Sequence, residues 1–147
     1  MTNMDQLTGG GRVLGLDLGD ARIGVAISDD DRRTAVPLGT IRTGAPEDIK
    51  AIAKLVEEHD VSLVIVGHPL MLSGEPGDRA RLVEQFAETL SAVLKVPVAL
   101  QDERLSTVEA ERVLREAGTE GRRRRRVVDR SAATVILQSY LDRPGPG

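Results

Sequence analysis

Three acidic positions stand where a folded chain has no cheap use for charge. Asp17 lies in Val13-Leu14-Gly15-Leu16-Asp17-Leu18-Gly19, a run apolar enough to be a strand covered on both faces. Alternation along a strand puts Val13, Gly15 and Asp17 on one face. A carboxylate in that setting must be paired, hydrogen-bonded or metal-bound. Gly15 and Gly19 remove bulk beside it, which predicts close approach of a ligand. Asp102 and Glu103 end another predicted strand. Successive side chains there point to opposite faces, so only one of the two acids faces a shared site. Asp129 shares a helical face with Ala132, Ala133, Ile136, Leu137 and Tyr140. That spacing puts it on the core side of a helix, near its start. Each acid alone has a plainer reading: a turn cap at Asp17, a solvated Glu–Arg strand end at 103–104, or a helix-start acid favoured by the dipole at Asp129.

Taken together the three are more telling. Each sits at the end of a core element, and parallel-type sheets gather ligands at the carboxyl ends of their strands. Carboxylates converging on one point repel each other and stay ionised only beside a cation. Oxygen donors, no cysteine and only two histidines favour Mg²⁺ or Mn²⁺ over zinc. Such a set suits two-metal hydrolysis of a phosphodiester, with the metals ~4 Å apart. The expected activity is that of a hydrolase acting on ester bonds, with the acids as ligands rather than proton carriers.

The elements that must position these residues follow from periodicity. Residues 12–19 and 22–28 read as strands joined tightly enough for a hairpin. Residues 34–43 form a weaker third strand, with Pro37 marking an edge or a bulge. Residues 46–59 carry Ile49, Ile52, Ala53 and Val56 at helical spacing, with Pro46 in the first turn. Residues 61–66 are a buried strand, and 68–77 a Gly/Pro loop that could close over substrate. Residues 78–94 are a long helix with Leu82, Phe86, Leu90 and Val93 on one stripe. Residues 97–102 are a strand. Residues 106–117 are a helix opened by a Ser106–Glu109 capping box, and 129–141 are the last helix. The order β-β-β-α-β-α-β-α-α predicts an α/β fold, one mixed five-stranded sheet covered by helices. One domain spans 12–142, between a disordered leader at 1–11 and a flexible tail at 143–147.

Composition narrows the class. The 147 residues are 40% hydrophobic and 29% charged, with no cysteine, which excludes a disulfide scaffold. No apolar run is long enough for a membrane span and no signal-peptide core is visible, so a cytoplasmic location with no membrane partner is expected. Net charge is −3, against a protein that coats nucleic acid in bulk. The only rings outside histidine are Phe86 and Tyr140, too few for a base-stacking platform. Positive charge is local instead: Arg122, Arg123, Arg124, Arg125 and Arg126 run consecutively before Asp129. Five guanidiniums there could hold phosphates beside the metals. Arg22 and Arg104 follow acid motifs and could touch the scissile phosphate or screen the carboxylates; screening is preferred for Arg22. His59 and His68 read as ordinary surface residues.

The chain resembles the YqgF family, also called RuvX, of ribonuclease H-like nucleases. The likeness runs from Arg12 to Leu141 and rests on several pieces in order. They are Gly15-Leu16-Asp17-Leu18-Gly19, then Arg22-Ile23-Gly24-Val25-Ala26 with Ser28-Asp29, then Val66-Gly67-His68-Pro69-Leu70 with Gly74. Asp102-Glu103-Arg104-Leu105-Ser106-Thr107 follows, then Val128-Asp129-Arg130-Ser131-Ala132-Ala133 and Ile136-Leu137-Gln138-Ser139-Tyr140-Leu141. The resemblance implies a three-layer ribonuclease H-like fold. It implies Asp17, one acid of the Asp102–Glu103 pair (Glu103 favoured) and Asp129 as the metal-binding, catalytic set. It implies a substrate of structured RNA or branched DNA: the 5′ end of the pre-16S ribosomal RNA in ribosome biogenesis, or a Holliday junction in recombination. His68, Ser106 and the arginine run depart from the pattern without removing a carboxylate. A monomer suffices for the first substrate, whereas a junction calls for two sites and hence a homodimer. Two other classes remain in view. An actin- or sugar-kinase-type phosphate-binding module needs two such domains and a cleft. A non-catalytic nucleic-acid-binding protein needs no turnover.

Overall fold

The computed structural model describes residues 11–69, 73–103 and 132–143. Its elements are β1 (Arg12–Leu18), β2 (Arg22–Ser28), β3 (Ala35–Arg42), α1 (Glu47–Glu58), β4 (Val61–His68), α2 (Asp78–Val93), β5 (Val98–Asp102) and α3 (Ala132–Leu141). The strands form one sheet in the order β3-β2-β1-β4-β5. The first three pair antiparallel, and β4 and β5 add in parallel. This is the mixed five-stranded sheet that the element order predicts. The helix predicted at 106–117 and the first residues of the last helix lie outside the described residues. Among the described residues no helix is long and apolar enough to cross a membrane.

Two cores make the three layers. On one face Leu14, Leu16, Ile23, Val64 and Val66 meet Ile49 and Ile52 of α1 and Val83, Ala87 and Leu90 of α2. On the other, Val13, Ala26, Leu63 and Ile65 meet Ala133 and Leu137 of α3. β1 and β4 are therefore covered on both sides, which is why they read as nearly continuous apolar runs rather than alternating ones. α3 lies very close to the sheet. A Cβ at Gly15 would stand 2.7 Å from Leu137 Cβ and 3.3 Å from the Ala133 carbonyl oxygen. Gln138 ties the helix to the sheet edge: its Oε1 accepts from Ala35 N at 2.9 Å and its Nε2 donates to Arg33 O at 2.9 Å.

The stripe expected on α2 is corrected. The buried positions are Ala80, Val83, Ala87 and Leu90, while Leu82 and Val93 are 60% and 54% exposed. Counting large apolar residues missed that two alanines let this helix sit against the sheet.

Candidate active site

Asp17 is half-buried near the carboxyl end of β1. Alternation puts it on the face that α3 covers, with Val13 and Gly15. Its cross-strand partner on β2 is Gly24, whose own partner on β3 is Thr40. β4 runs parallel on the other side of β1, with Leu16 opposite Val66, so Gly67 follows beside Asp17.

Glu103 comes immediately after β5, where the chain turns away from the strand. Its carboxyl occupies the space that a side chain at position 67 would fill. A Cβ on Gly67 would stand 2.7 Å from Glu103 Oε1 and 2.8 Å from Ile136 Cδ1. The two acids meet there, over a glycine and against α3. Glu103's carboxyl is pushed up to about 7, first by burial, then by the charge of Asp17 and a hydrogen bond with it. Asp102 adds to the rise, and Arg79 opposes it.

Of the Asp102–Glu103 pair, then, it is Glu103 that reaches Asp17. Asp102 is the last residue of β5, paired with His68, and its charge adds to the rise on Glu103. Asp129, Arg104 and the run Arg122, Arg123, Arg124, Arg125 and Arg126 lie outside the described residues. Among the described residues no group of three metal-ligating side chains forms. Arg22 opens β2 and is exposed.

Several features have roles other than those the sequence suggests. Gly15 makes room for α3 rather than for a ligand. Gly19 serves the tight β1–β2 turn: a Cβ would meet the Arg22 carbonyl oxygen, to which Gly19 N already donates at 2.9 Å. The glycine that clears space for an acid is Gly67. His68 is not an ordinary surface residue: its side chain is 15% exposed and its Nε2 lies 2.7 Å from Glu84 Oε2 of α2. Among the described residues the cation whose field reaches Glu103 is Arg79, in the first turn of α2, which no motif in the sequence singles out. It also donates to Asp20 Oδ1 at 3.2 Å and to the Leu18 carbonyl oxygen. Only the tertiary approach of α2 to the β1–β2 turn reveals that role.

A groove of about 380 Å³ opens beside Asp17, lined by Gly24, Pro37, Gly39, Thr40, Ala132 and Ala133 as well as Asp17. It runs across β2 towards the edge strand β3, on the face of the sheet that carries the acids.

Comparison with known proteins bears on this arrangement. Residues 11–143 match the protein-family model RuvX, described as Holliday junction resolvase. The chain belongs to the RuvX family. A relative from Chloroflexus aurantiacus is 50% identical over 131 residues, covering 88% of this chain and 86% of that protein. One from Anaeromyxobacter dehalogenans is 48% identical over 136 residues, covering 92% and 99%. Both are provisionally named pre-16S rRNA nucleases. Among solved structures, Thermus thermophilus RuvC in complex with a Holliday junction substrate superposes with a TM-score of 0.53 at 15% identity, over 88% of this chain and 93% of that one. That likeness establishes the shared ribonuclease H-like fold. RuvX membership places the chain among nucleic-acid hydrolases and sets aside the kinase-type module.

Proposed function

We propose that this RuvX protein is a divalent-metal-dependent nuclease that cuts a phosphodiester in structured nucleic acid, with the pre-16S rRNA 5′ end as its substrate in the cytoplasm. The observation that carries the reading is the meeting of Asp17 and Glu103 over Gly67. Two carboxyls drawn from strands separated by β4 have no structural need to share a site, and one of them is held back from ionising by burial and by the other. Oxygen-only donors of this kind fit Mg²⁺ or Mn²⁺. Asp17 and Glu103 would hold the metal, with Asp129 as the third ligand and Asp102 adding negative charge nearby. When bound, a pair of such ions activates a water and stabilises the leaving oxygen.

The chain's own part is positional. The sheet fixes Asp17, and Gly67 lets Glu103 approach it. The Glu103 carboxyl, hydrogen-bonded with Asp17, would give up its proton on holding a cation. Buried against Ile136, the Glu103 carboxyl works in a setting where water is partly excluded and electrostatic effects are stronger. Arg104 and the run from Arg122 to Arg126 would supply cations for the substrate's phosphates. The names of the relatives support the ribosomal RNA precursor, whereas the description of the family supports a four-way DNA junction as the second reading.

The test incubates the purified protein, Asp17→Asn and Glu103→Gln with each substrate, in Mg²⁺, in Mn²⁺ and in EDTA. We expect the wild type to cut the RNA precursor fragment only with metal, and both variants to lose at least ~100-fold of that rate, the scale on which single catalytic groups act. Cutting of the junction alone would transfer the reading to a resolvase. Metal-independent binding of RNA without cutting of either substrate would leave a non-catalytic binding protein.

A further inference from the structure

Two exposed arginines stand side by side at the open end of the sheet. Arg22, the first residue of β2, is the direct cross-strand partner of Arg42, the last residue of β3. Two residues further along, the same register sets Gly24 opposite Thr40, and β1 adds Asp17 to that row. Side chains two apart on a strand share a face. Arg22 and Arg42 therefore project from the face that carries Asp17, Gly24 and Thr40. The opposite face takes Ile23 and Ile41, which join the core under α1 and α2.

Like charges directly opposite in an antiparallel pair are destabilising. Neither guanidinium has an ion pair among the described residues. Asp17, one row away, is engaged with Glu103, and among the described residues the cation that lowers the Glu103 carboxyl is Arg79. An anion lying between the two forks would offset that repulsion, since guanidinium presents paired donors to phosphate.

We infer that Arg22 and Arg42 form a clamp for a backbone phosphate of the nucleic-acid substrate, one nucleotide removed from the bond cut at Asp17. The proposal rests on the nuclease reading for its register and adds Arg42 to the binding residues. The row spacing of ~7 Å, two residues of strand, is about the reach of one nucleotide of sugar–phosphate backbone. The sugar between the two phosphates passes the Gly24–Thr40 row, from which the groove opens on the side away from the arginines, towards Pro37. The Thr40 hydroxyl supplies a donor and acceptor for that sugar.

The experiment measures binding of a fluorescein-labelled RNA hairpin with a single-stranded 5′ extension, by anisotropy in EDTA across a salt series. On a single strand, the slope of log affinity against log salt falls by ~0.7 for each phosphate that is no longer neutralised. Arg22→Gln and Arg42→Gln are each expected to lower it by about that much, and the double variant by about twice as much. Arg42→Lys should restore most of the slope, and Lys50→Gln, on α1 across the sheet, should leave it unchanged. Melting temperature of Arg42→Gln should stay level or rise, because a like-charge pair is removed. A double variant with the wild-type slope would overturn the clamp, as would an equal loss in Lys50→Gln. Cleavage separates the two ideas. Asp17-dependent cutting with arginine-independent binding removes the clamp and keeps the nuclease. Arginine-dependent binding without any cutting removes the nuclease and keeps the clamp.

Discussion

At the scale of single residues, the site depends on an absence. Gly67 contributes no side chain, and the Glu103 carboxyl fills the vacated volume. A methyl at position 67 would press on Glu103 Oε1 and Ile136 Cδ1, both ends of side chains that can swing aside. The fold should therefore survive Gly67→Ala at a cost of ~1 kcal/mol. Glu103 would be forced away from Asp17, and metal affinity should drop roughly 10- to 100-fold, the range for disturbing groups that support a ligand. Calorimetric titration with Mn²⁺ checks this. Gly24→Ala serves as the comparison: its Cβ would lie 3.6 Å from Ala133 Cβ and 3.7 Å from Asp17 Cβ, ordinary contact, and Mn²⁺ affinity should hold. Unchanged affinity in Gly67→Ala would mean that Glu103 is not a ligand.

At the scale of elements, α3 closes the site, and Gln138 holds it in place. Its side-chain amide bonds both Ala35 N and Arg33 O, more than 100 residues away in sequence. Gln138→Leu keeps the bulk and strips both partners, so stability should fall by ~1–3 kcal/mol with an unchanged denaturant slope. Urea melts read both, and an unmoved midpoint would show this tether to be idle. The same tether marks where the sequence stops being legible. The succession of strands and the placing of Asp17 in one of them were legible, because a doubly covered strand is apolar throughout and a lone acid within it stands out. The preference for Glu103 over Asp102 came from family resemblance; the geometric reason, a turn after β5 over Gly67, did not show. Whether Gly15, Gly19 or Gly67 makes room for a ligand depends on which element crosses above each one. Such pairings join distant segments and leave no local period. The stripe on α2 was misread for the same reason: Ala80 and Ala87 become its packing face only once the sheet is beneath them.

At the scale of the whole molecule, the site's electrostatics couple to folding. Glu103 holds its proton up to about 7 in the folded chain, against a reference value of 4.5. The folded state thus binds this proton more tightly than the unfolded state. Its contribution to stability is fully present below pH ~4.5, declines as pH rises and is gone above ~7. In EDTA the melting temperature should therefore carry a downward component across that window, and Glu103→Gln should lose that component. If Glu103 is a ligand as proposed, a divalent cation should reverse the trend, because it would bind the ionised carboxylate and only in the folded chain. The rise in melting temperature on adding Mg²⁺ should be small at about pH 6 and larger at about pH 8, where no proton has to be displaced. Thermal melts of wild type and Glu103→Gln at both pH values, with Mg²⁺ and with EDTA, test the whole chain of reasoning. A metal-induced shift equal at the two pH values would break the link between the Glu103 proton and the metal. A Glu103→Gln variant that kept the full shift would place the metal elsewhere. The expected pattern would make one carboxyl answer for both: the metal-free protein tolerates Asp17 and Glu103 together by keeping a proton between them, and exchanges that proton for the cation its chemistry requires.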